Sequence, residues 1–147
     1  MSLLPRSARY AVMAALDIAL YARGRPVTSK ALAARHALAP RRLEGLLQAL
    51  VRAGILKSVR GPSGGYELAR ERRRLCVGEI LRVAMRADAE YAEPGAALLD
   101  RVLDPVFAEA EEAALARLDG VTLDELLARA VAAGFGEAQG AGADFEI

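Results

Sequence analysis

The sequence predicts a mainly α-helical fold that carries one small β-hairpin. The chain has 147 residues, of which 54% are hydrophobic, 5% are aromatic and none is tryptophan, so leucine, alanine, valine and isoleucine must form most of the core. Apolar residues recur at intervals of three and four along most of the chain, as in amphipathic helices. Within residues 57–68, two short alternating runs flank a turn rich in glycine and proline, which indicates a hairpin. This length fits one compact domain, or a small domain with an appendage.

Three helices are predicted before the hairpin. The periodic run over residues 7–22 predicts the first. Thr28 is a suitable N-cap for a short second helix over residues 29–35, and residues 36–39 form the turn after it. Pro40 suits the first position of a third helix that runs to about Ala53. Gly54 then suits the left-handed residue that commonly follows a helix.

The third helix has an apolar and a polar side. Its apolar stripe predicts burial of Leu43, Leu46, Leu47, Leu50 and Val51. The opposite side carries Arg41, Glu44, Gly45, Gln48 and Arg52.

Beyond the hairpin, residues 77–84 predict a fourth helix and residues 86–95 a connecting loop. A long apolar stripe follows, and Pro105 interrupts it. Either one helix kinks there or a new helix begins with Asp104 as its cap; we prefer the second, over residues 105–119. Thr122 and Glu125 form a capping-box pattern that opens a last helix to about residue 133.

Charge is distributed very unevenly. Residues 1–86 contain 17 Lys and Arg against 5 Asp and Glu, a net charge of +12, whereas residues 87–147 contain 3 against 14, a net −11. A basic half is typical of a protein that binds a polyanion, although a solvated basic surface is the alternative. Since the division near residue 86 coincides with a change of pattern, we predict a DNA-binding domain over residues 1–86. Dimerisation or sensor helices are predicted over 87–134, and a flexible tail over 135–147.

Helix, helix, turn, helix and basic hairpin is the order of a winged helix-turn-helix. In that arrangement the third helix can place Arg41, Arg42, Glu44 and Gln48 against base edges or phosphates. Lys57, Arg60 and the amides around Gly64 and Gly65 are available to contact the DNA backbone or minor groove.

Several ordered motifs resemble the IscR/NsrR-type, or Rrf2, family of bacterial transcription regulators. The strongest match is the stretch from Gly54 to Ala69, Gly-Ile-Leu-Lys-Ser-Val-Arg-Gly-Pro-Ser-Gly-Gly-Tyr-Glu-Leu-Ala. Ser-Ala-Arg-Tyr-Ala at residue 7, Pro-Val-Thr at 26, Leu-Glu-Gly-Leu-Leu at 43, Val-Gly-Glu-Ile at 77 and Val-Thr-Leu-Asp-Glu-Leu at 121 match as well. The resemblance covers about residues 5–133. It adds these positions to the predicted DNA-binding set: Arg9, Thr28, Pro40, Gly61, Ser63 and Tyr66, the last with core packing as its alternative.

The resemblance also implies a homodimer joined through the long C-terminal helix and bound to a palindromic operator, and we expect a repressor. The residues predicted for dimerisation are Leu99, Val102, Leu103, Val106, Phe107, Ala110 and Ala114. A winged-helix module that binds a protein and not DNA is the alternative. An enzyme is not expected, because the chain has one His, one Cys and no clustered carboxylate motif in its basic half.

Many members of this family bind an iron–sulfur cluster through three cysteines between the fourth helix and the long helix. Residues 86–104 contain no cysteine, and Cys76 is the one cysteine of the chain. We therefore expect no conventional cluster and no other cofactor. Control by a small ligand or a partner protein at the C-terminal region, and control by oxidation of Cys76, both stay open. No apolar run or leader segment predicts membrane insertion or secretion, so a cytoplasmic location is expected.

Overall fold

Residues 2–136 are the part of the chain that the computed structural model describes. The first helices are α1 (Arg6–Tyr21), α2 (Ser29–Arg35) and α3 (Pro40–Arg52), and the strands are β1 (Leu56–Val59) and β2 (Gly65–Leu68). A short 3-10 turn (Arg72–Arg74) leads to α4 (Val77–Ala89). A π-helical turn (Leu99–Leu103) continues into α5 (Asp104–Leu118), and α6 (Leu123–Ala132) follows. The predicted mainly helical fold with one hairpin is confirmed. Most of the predicted tail, residues 137–147, lies outside the described residues.

Helix α1 lies at the centre of the core because one side of it is made of small residues. Ala8, Ala11, Ala14 and Ala15 are completely buried. A side chain with only one carbon lets neighbouring helices approach closely, and both α3 and α4 pack on α1. The larger core side chains come from the elements around it: Leu32, Leu43, Leu47, Leu50, Ile55, Leu56, Leu75, Ile80, Leu81 and Leu123.

The predicted caps at Thr28, Thr122 and Gly54 are confirmed. The Thr28 hydroxyl oxygen accepts the Ala31 amide at 3.0 Å, and the Thr122 hydroxyl oxygen accepts the Glu125 amide at 3.2 Å. Gly54 has a φ of +74° and follows Ala53, the C-cap of α3, as its pattern predicts. These caps satisfy amides and carbonyls that a helix end otherwise leaves without partners.

The hairpin has a third strand partner that the sequence pattern did not reveal. Strands β1 and β2 pair in antiparallel register, with Leu56 opposite Leu68. Val27, just before α2, pairs with Tyr66 on the other edge of β2: the Val27 amide donates to the Tyr66 carbonyl at 3.0 Å, and the Tyr66 amide donates to the Val27 carbonyl at 2.8 Å. The hairpin is thereby fixed against the start of the helix-turn-helix.

Gly65 permits the pairing of Val27 with Tyr66, and substituting Gly65 tests how much this pairing contributes to the stability of the fold. A Cβ at residue 65 would lie 2.5 Å from the Val27 carbonyl oxygen, and the φ of +156° disfavours a side chain. Gly65→Ala is therefore expected to lower the free energy of unfolding by about 2 kcal/mol, measured by urea denaturation. Gly45→Ala is the control, because Gly45 lies within α3 and a Cβ added there would meet no neighbouring atom within 4 Å. That change should stabilise by about 0.5–1 kcal/mol, and an equal effect of the two changes would contradict the steric argument.

Helix α4 is longer than predicted. It continues through Arg86 to Ala89, so the expected connecting loop over residues 86–95 is wrong for its first four residues. Residues 85–89 contain neither glycine nor proline, and nothing in that local sequence ends a helix. The apolar stripe stops earlier because the last turn of α4 extends beyond the core, where a buried face is not needed.

Pro105 also behaves differently from the preferred prediction. Asp104 has helical dihedral angles and makes no side-chain cap, so α5 is a continuation of the preceding turn and not a new helix. The Asp104 amide donates to the Leu99 carbonyl, five residues earlier. This π-helical turn ends where the Pro105 ring would otherwise clash with an α-helical carbonyl, which explains how the helix tolerates the proline.

Candidate nucleic-acid interface

The outward side of α3 carries the polar residues that the sequence singles out for DNA contact. Pro40 occupies its first turn, and Arg41, Arg42, Glu44 and Gln48 are all exposed. Leu43, Leu47 and Leu50 hold the opposite side in the core with no exposure, so the polar side of the helix must face solvent. The amphipathic pattern thus fixes which side chains α3 offers to a partner.

The turn between α2 and α3 is held in a strained conformation. Ala37 has a φ of +51°, a left-handed conformation that costs a residue with a Cβ about 1 kcal/mol. Two hydrogen bonds stabilise it: the Leu38 amide donates to the Ala33 carbonyl at 2.9 Å, and the Ala37 amide donates to the Ala34 carbonyl at 3.4 Å. These bonds form the motif that commonly ends helices, here with alanine at the position that glycine usually occupies.

A buried carboxylate of α1 fixes the same turn from below. Asp17 is 2% exposed, and its two oxygens accept the Arg35 guanidinium at 2.6 and 2.8 Å. The His36 Nε2 lies 2.7 Å from Asp17 Oδ2. The hydrogen bonds from Arg35 to Asp17 raise the pKa of the guanidinium above its ordinary value. Arg35 also lies over the Tyr21 ring at 4.1 Å, so the cluster joins α1 to the end of α2.

The hairpin formed by β1 and β2 is the wing of this fold, and its tip presents small and basic residues to solvent. Arg60, Gly61 and Ser63 are exposed. Lys57 is exposed on β1 and pairs with Glu67 across the hairpin at 3.4 Å, a weak surface ion pair.

Gly64, Gly65 and Tyr66 shape the turn and edge of the hairpin, and their DNA contact stays a prediction. The Gly64 amide donates to the Gly61 carbonyl at 2.9 Å, and the Tyr66 amide is used by Val27. All three residues are half-buried. The amide of Gly64 is therefore engaged in closing the turn, and the basic and hydroxyl side chains at the tip are the groups that remain available to a phosphate.

Thr28 and Arg9 lie near the N-terminal ends of α2 and α1. The Thr28 hydroxyl is exposed at the start of α2, where it already acts as the N-cap. Arg9 is exposed on the first turns of α1. Helix N-termini are common points of phosphate contact because their amides point outward.

A cleft beside α3 adds two arginines to this surface. It has a volume of about 590 Å³ and lies between the start of α1, the outer side of α3 and the end of α4. Arg6, Arg42 and Arg52 line it together with Gln48, and the Arg6 guanidinium lies 5.6 Å from the centre of the Tyr10 ring. Arg6 was missed by the sequence reasoning, although its position one helical turn before Arg9 was an available signal.

The π-helical turn and the start of α5 expose an apolar stripe. Six large side chains between residues 98 and 107 are 40–69% exposed. Contiguous exposed apolar surface on a protein of this size is typical of an interaction site. The stripe consists of Leu98, Leu99, Val102, Leu103, Val106 and Phe107, and all of these except Leu98 were predicted for dimerisation. The other two residues predicted for dimerisation lie further along α5, where Ala110 is exposed and Ala114 is half-buried.

Arg82 links α4 to the α5 region. It projects from α4 and bonds two carboxylates of the α5 region, Glu112 at 2.7 Å and Asp119. These hydrogen bonds raise the pKa of the Arg82 guanidinium. Gly78 allows the approach, because a Cβ there would collide with Asp119 and lie 2.8 Å from the Leu115 carbonyl oxygen. These contacts hold α5 closely against α4.

Comparison with known proteins identifies this architecture. The family model Rrf2, described as an iron-dependent transcriptional regulator, matches residues 4–129. The chain belongs to the Rrf2 family. The resemblance stated from the sequence motifs is thereby confirmed, and the Rrf2 family is one of DNA-binding transcription regulators and not of enzymes.

Relatives within the Rrf2 family agree in fold and in description. The HTH-type transcriptional regulator IscR of Vibrio atlanticus is 41% identical over 73 residues, which cover 50% of this chain and 42% of that protein. IscR of Aliivibrio salmonicida is 34% identical over 126 residues, covering 81% and 73%. The structure of T. potens IscR superposes with a TM-score of 0.67 at 34% identity, over 86% of this chain and 87% of that one. The chain spans about half the length of the first curated relatives it matches.

The donor set of this chain does not fit a cysteine-ligated iron–sulfur cluster. Such clusters are held mainly by thiolates, and Cys76 is the one cysteine in the sequence. Cys76 lies before α4, where its sulfur is 3.9 Å from an Asp119 oxygen. Within residues 2–136, no three or more His, Cys, Asp or Glu side chains are grouped to hold a metal ion. Over the same residues, no helix combines the length and apolar character that a membrane span requires.

Proposed function

We propose that this chain is a sequence-specific transcription regulator that binds a palindromic site in double-stranded DNA as a homodimer. The observation that carries the proposal is the pairing of two surfaces on one chain. The exposed side of α3 is rich in arginine and is followed by a hairpin that exposes Lys57 and Arg60, and an exposed apolar stripe runs along the π-helical turn and the start of α5. The first surface suits a polyanion, and the second suits a copy of itself.

On the DNA side, α3 enters the major groove. Arg41, Arg42, Glu44 and Gln48 are the side chains placed to contact base edges, because they project from the side of α3 opposite the core. Arg60 and Ser63 at the wing tip contact the backbone or the minor groove, and Arg6 and Arg52 in the cleft beside α3 contact phosphates. The basic residues therefore divide into readers of sequence and sequence-independent contacts.

On the dimer side, the apolar stripe of one protomer packs against the same stripe of the other. A two-fold arrangement of this kind presents two α3 helices to successive major grooves, roughly 34 Å apart. Residues 1–86 then serve as the DNA-binding part and residues 87–134 as the dimerisation part. The end of α4 connects them, and Arg82 fixes α4 to the α5 region.

We further propose that the protein is a repressor that works without a cysteine-ligated cluster. A dimer that covers successive grooves at a promoter excludes other proteins from that DNA, which is the simplest consequence of tight binding. Because the donor set does not fit a cluster, the signal must act on another part of the chain. Transcription of a bound promoter in a purified system should fall as protein is added, and a rise would contradict the repressor role.

Selecting bound fragments from a pool of genomic DNA tests the proposed function directly. We expect enrichment of fragments that share an inverted repeat, with affinity falling steeply as salt rises because bound counterions are released. Enrichment without a shared motif would contradict sequence-specific recognition. Failure of a confirmed dimer to bind any fragment would instead favour a winged-helix module that binds protein.

Arg60 and Gln48 should affect binding in different ways. Arg60→Ala is expected to lower affinity by about 5- to 10-fold on every DNA sequence and to reduce the salt dependence by about one counterion. Gln48→Ala is expected to cost about 1–3 kcal/mol on the preferred sequence and to relax the preference at one base. Fluorescence anisotropy with the selected site and single-base variants measures both. Arg117→Ala, on α5 away from the proposed interface, is the control; identical profiles for the Arg60 and Gln48 variants would contradict this division.

A further inference from the structure

A second cavity lies between α1 and α6, on the part of the molecule that the proposed DNA contact does not use. Its volume is about 380 Å³, within the range of small-molecule sites. Carbon atoms form almost all of its wall, and Asp17, His36 and Arg129 are its polar lining residues. The apolar residues that line it are Met13, Leu16 and Leu20 of α1, Leu126 and Ala130 of α6, and Phe135.

The turn that ends α6 places Phe135 against this cavity. The Phe135 amide donates to the Ala130 carbonyl at 3.0 Å, and the Gly134 amide donates to the Val131 carbonyl at 3.0 Å. Gly134 has a φ of +92°, the left-handed conformation that this helix ending requires. Phe135 is 55% exposed, so one wall of the cavity is an aromatic ring held by a hydrogen-bonded turn but not buried in the core.

Two charged groups line the cavity, and they differ in how their charge is balanced. Asp17 is neutralised, because Arg35 and His36 occupy both of its oxygens. Arg129 lines the cavity and is exposed to solvent, and within residues 2–136 no carboxylate lies within ion-pair distance of it. Within the described residues, the cavity therefore combines an apolar interior with the positive charge of Arg129, which no carboxylate balances there.

We propose that this cavity binds a small monocarboxylic acid that has an apolar body. The body lies among Leu16, Leu20, Leu126 and Phe135, and the carboxylate pairs with the Arg129 guanidinium. A bound acid also contacts His36, the residue that ends α2 and bonds Asp17, so the site adjoins the helix-turn-helix. Hydrophobic burial supplies affinity, and the single charge supplies the preference for an acid.

Titration calorimetry on the full-length protein without DNA tests the site, with octanoate, octanol and octylamine as matched probes. We expect octanoate to bind about ten-fold more tightly than octanol, and octylamine most weakly. Arg129→Gln should reduce octanoate affinity about ten-fold and leave octanol unchanged, whereas Arg117→Gln on α5 should change neither. Ala130→Leu should abolish binding of all three, because it fills the cavity; a thermal melt establishes that each variant is folded.

The proposal is overturned if octanoate and octanol bind equally, or if octanoate binding survives both Ala130→Leu and Arg129→Gln. It is also overturned if none of the three probes binds, including the case in which residues 137–147 occupy the cavity instead. The measurement contains no DNA, so its failure leaves the proposed function standing, and failure of DNA binding leaves the ligand site standing.

Discussion

Replacing Phe107 by aspartate is expected to convert the protein to a monomer and to weaken binding to a palindromic site by about a hundred-fold or more. Phe107 is 58% exposed at the C-terminal end of the apolar stripe, so the change itself costs the monomer little. At a two-fold interface each substitution occurs twice, and two carboxylates must be desolvated in an apolar contact. Losing the second half-site then removes a large part of the binding energy.

Sedimentation measures the oligomeric state, and anisotropy measures binding to full and half sites. Ala116→Asp is the matched control, because it adds the same carboxylate to an exposed position of α5 about half a helical turn away from Phe107 in projection. We expect the control to remain dimeric. A dimeric Phe107→Asp protein with unchanged affinity would show that the stripe is not the interface that DNA binding needs.

Replacing Asp17 by alanine is expected to lower the free energy of unfolding by about 3 kcal/mol, a large share of the stability of a domain of this size. The change leaves the Arg35 guanidinium and the His36 ring without the carboxylate that each contacts, and it opens a gap under the turn. Removing one member of a buried ion pair typically costs about 3–5 kcal/mol. We choose the lower end because Arg35 and His36 keep 19% and 24% exposure.

Asp124→Ala supplies the comparison for this prediction. Asp124 accepts the Arg72 guanidinium at 2.7 Å, so the bond has the same chemistry, but the Arg72 and Asp124 side chains are 51% and 41% exposed. An exposed pair contributes about 0–1 kcal/mol, and the two variants should therefore differ by at least about 2 kcal/mol in urea denaturation. Equal losses would mean that burial of Asp17 has no special consequence.

Much of the N-terminal half could be predicted because its signals are local. Thr28, Pro40 and Gly54 mark helix ends by chemistry that acts within a few residues, and the leucines of α3 define its inner side through their spacing alone. The exposed side chains of α3 and of the wing follow from those boundaries. The family motifs then needed only confirmation.

The features that sequence reasoning missed depend on distant partners. Asp17 occupies an inward position of α1, and only its contact with residues 18 and 19 positions later explains why a carboxylate is tolerated there. Val27 pairs with Tyr66, which lies 39 residues later in the chain, and the residues around Val27 show no alternation of apolar and polar side chains that would predict a strand. We expected Pro105 to start a new helix, because the local sequence permits a new helix as readily as a continuous one. Only the backbone conformation shows that the helix passes through.

Because of the π-helical turn before Pro105, the number of residues in that turn matters more for the direction of the apolar side chains than the identity of those residues. Apolar side chains recur every fourth residue from Leu98 to Ala114, a spacing that drifts around a regular α-helix by about 40° at each step. The wider turn accommodates one additional residue and so brings the positions before it back toward those after it. Deleting one residue from Leu99–Leu103 would restore a regular helix but rotate the preceding side chains by about 100°. Substitutions in this turn should therefore be tolerated more readily across relatives than insertions or deletions of a single residue.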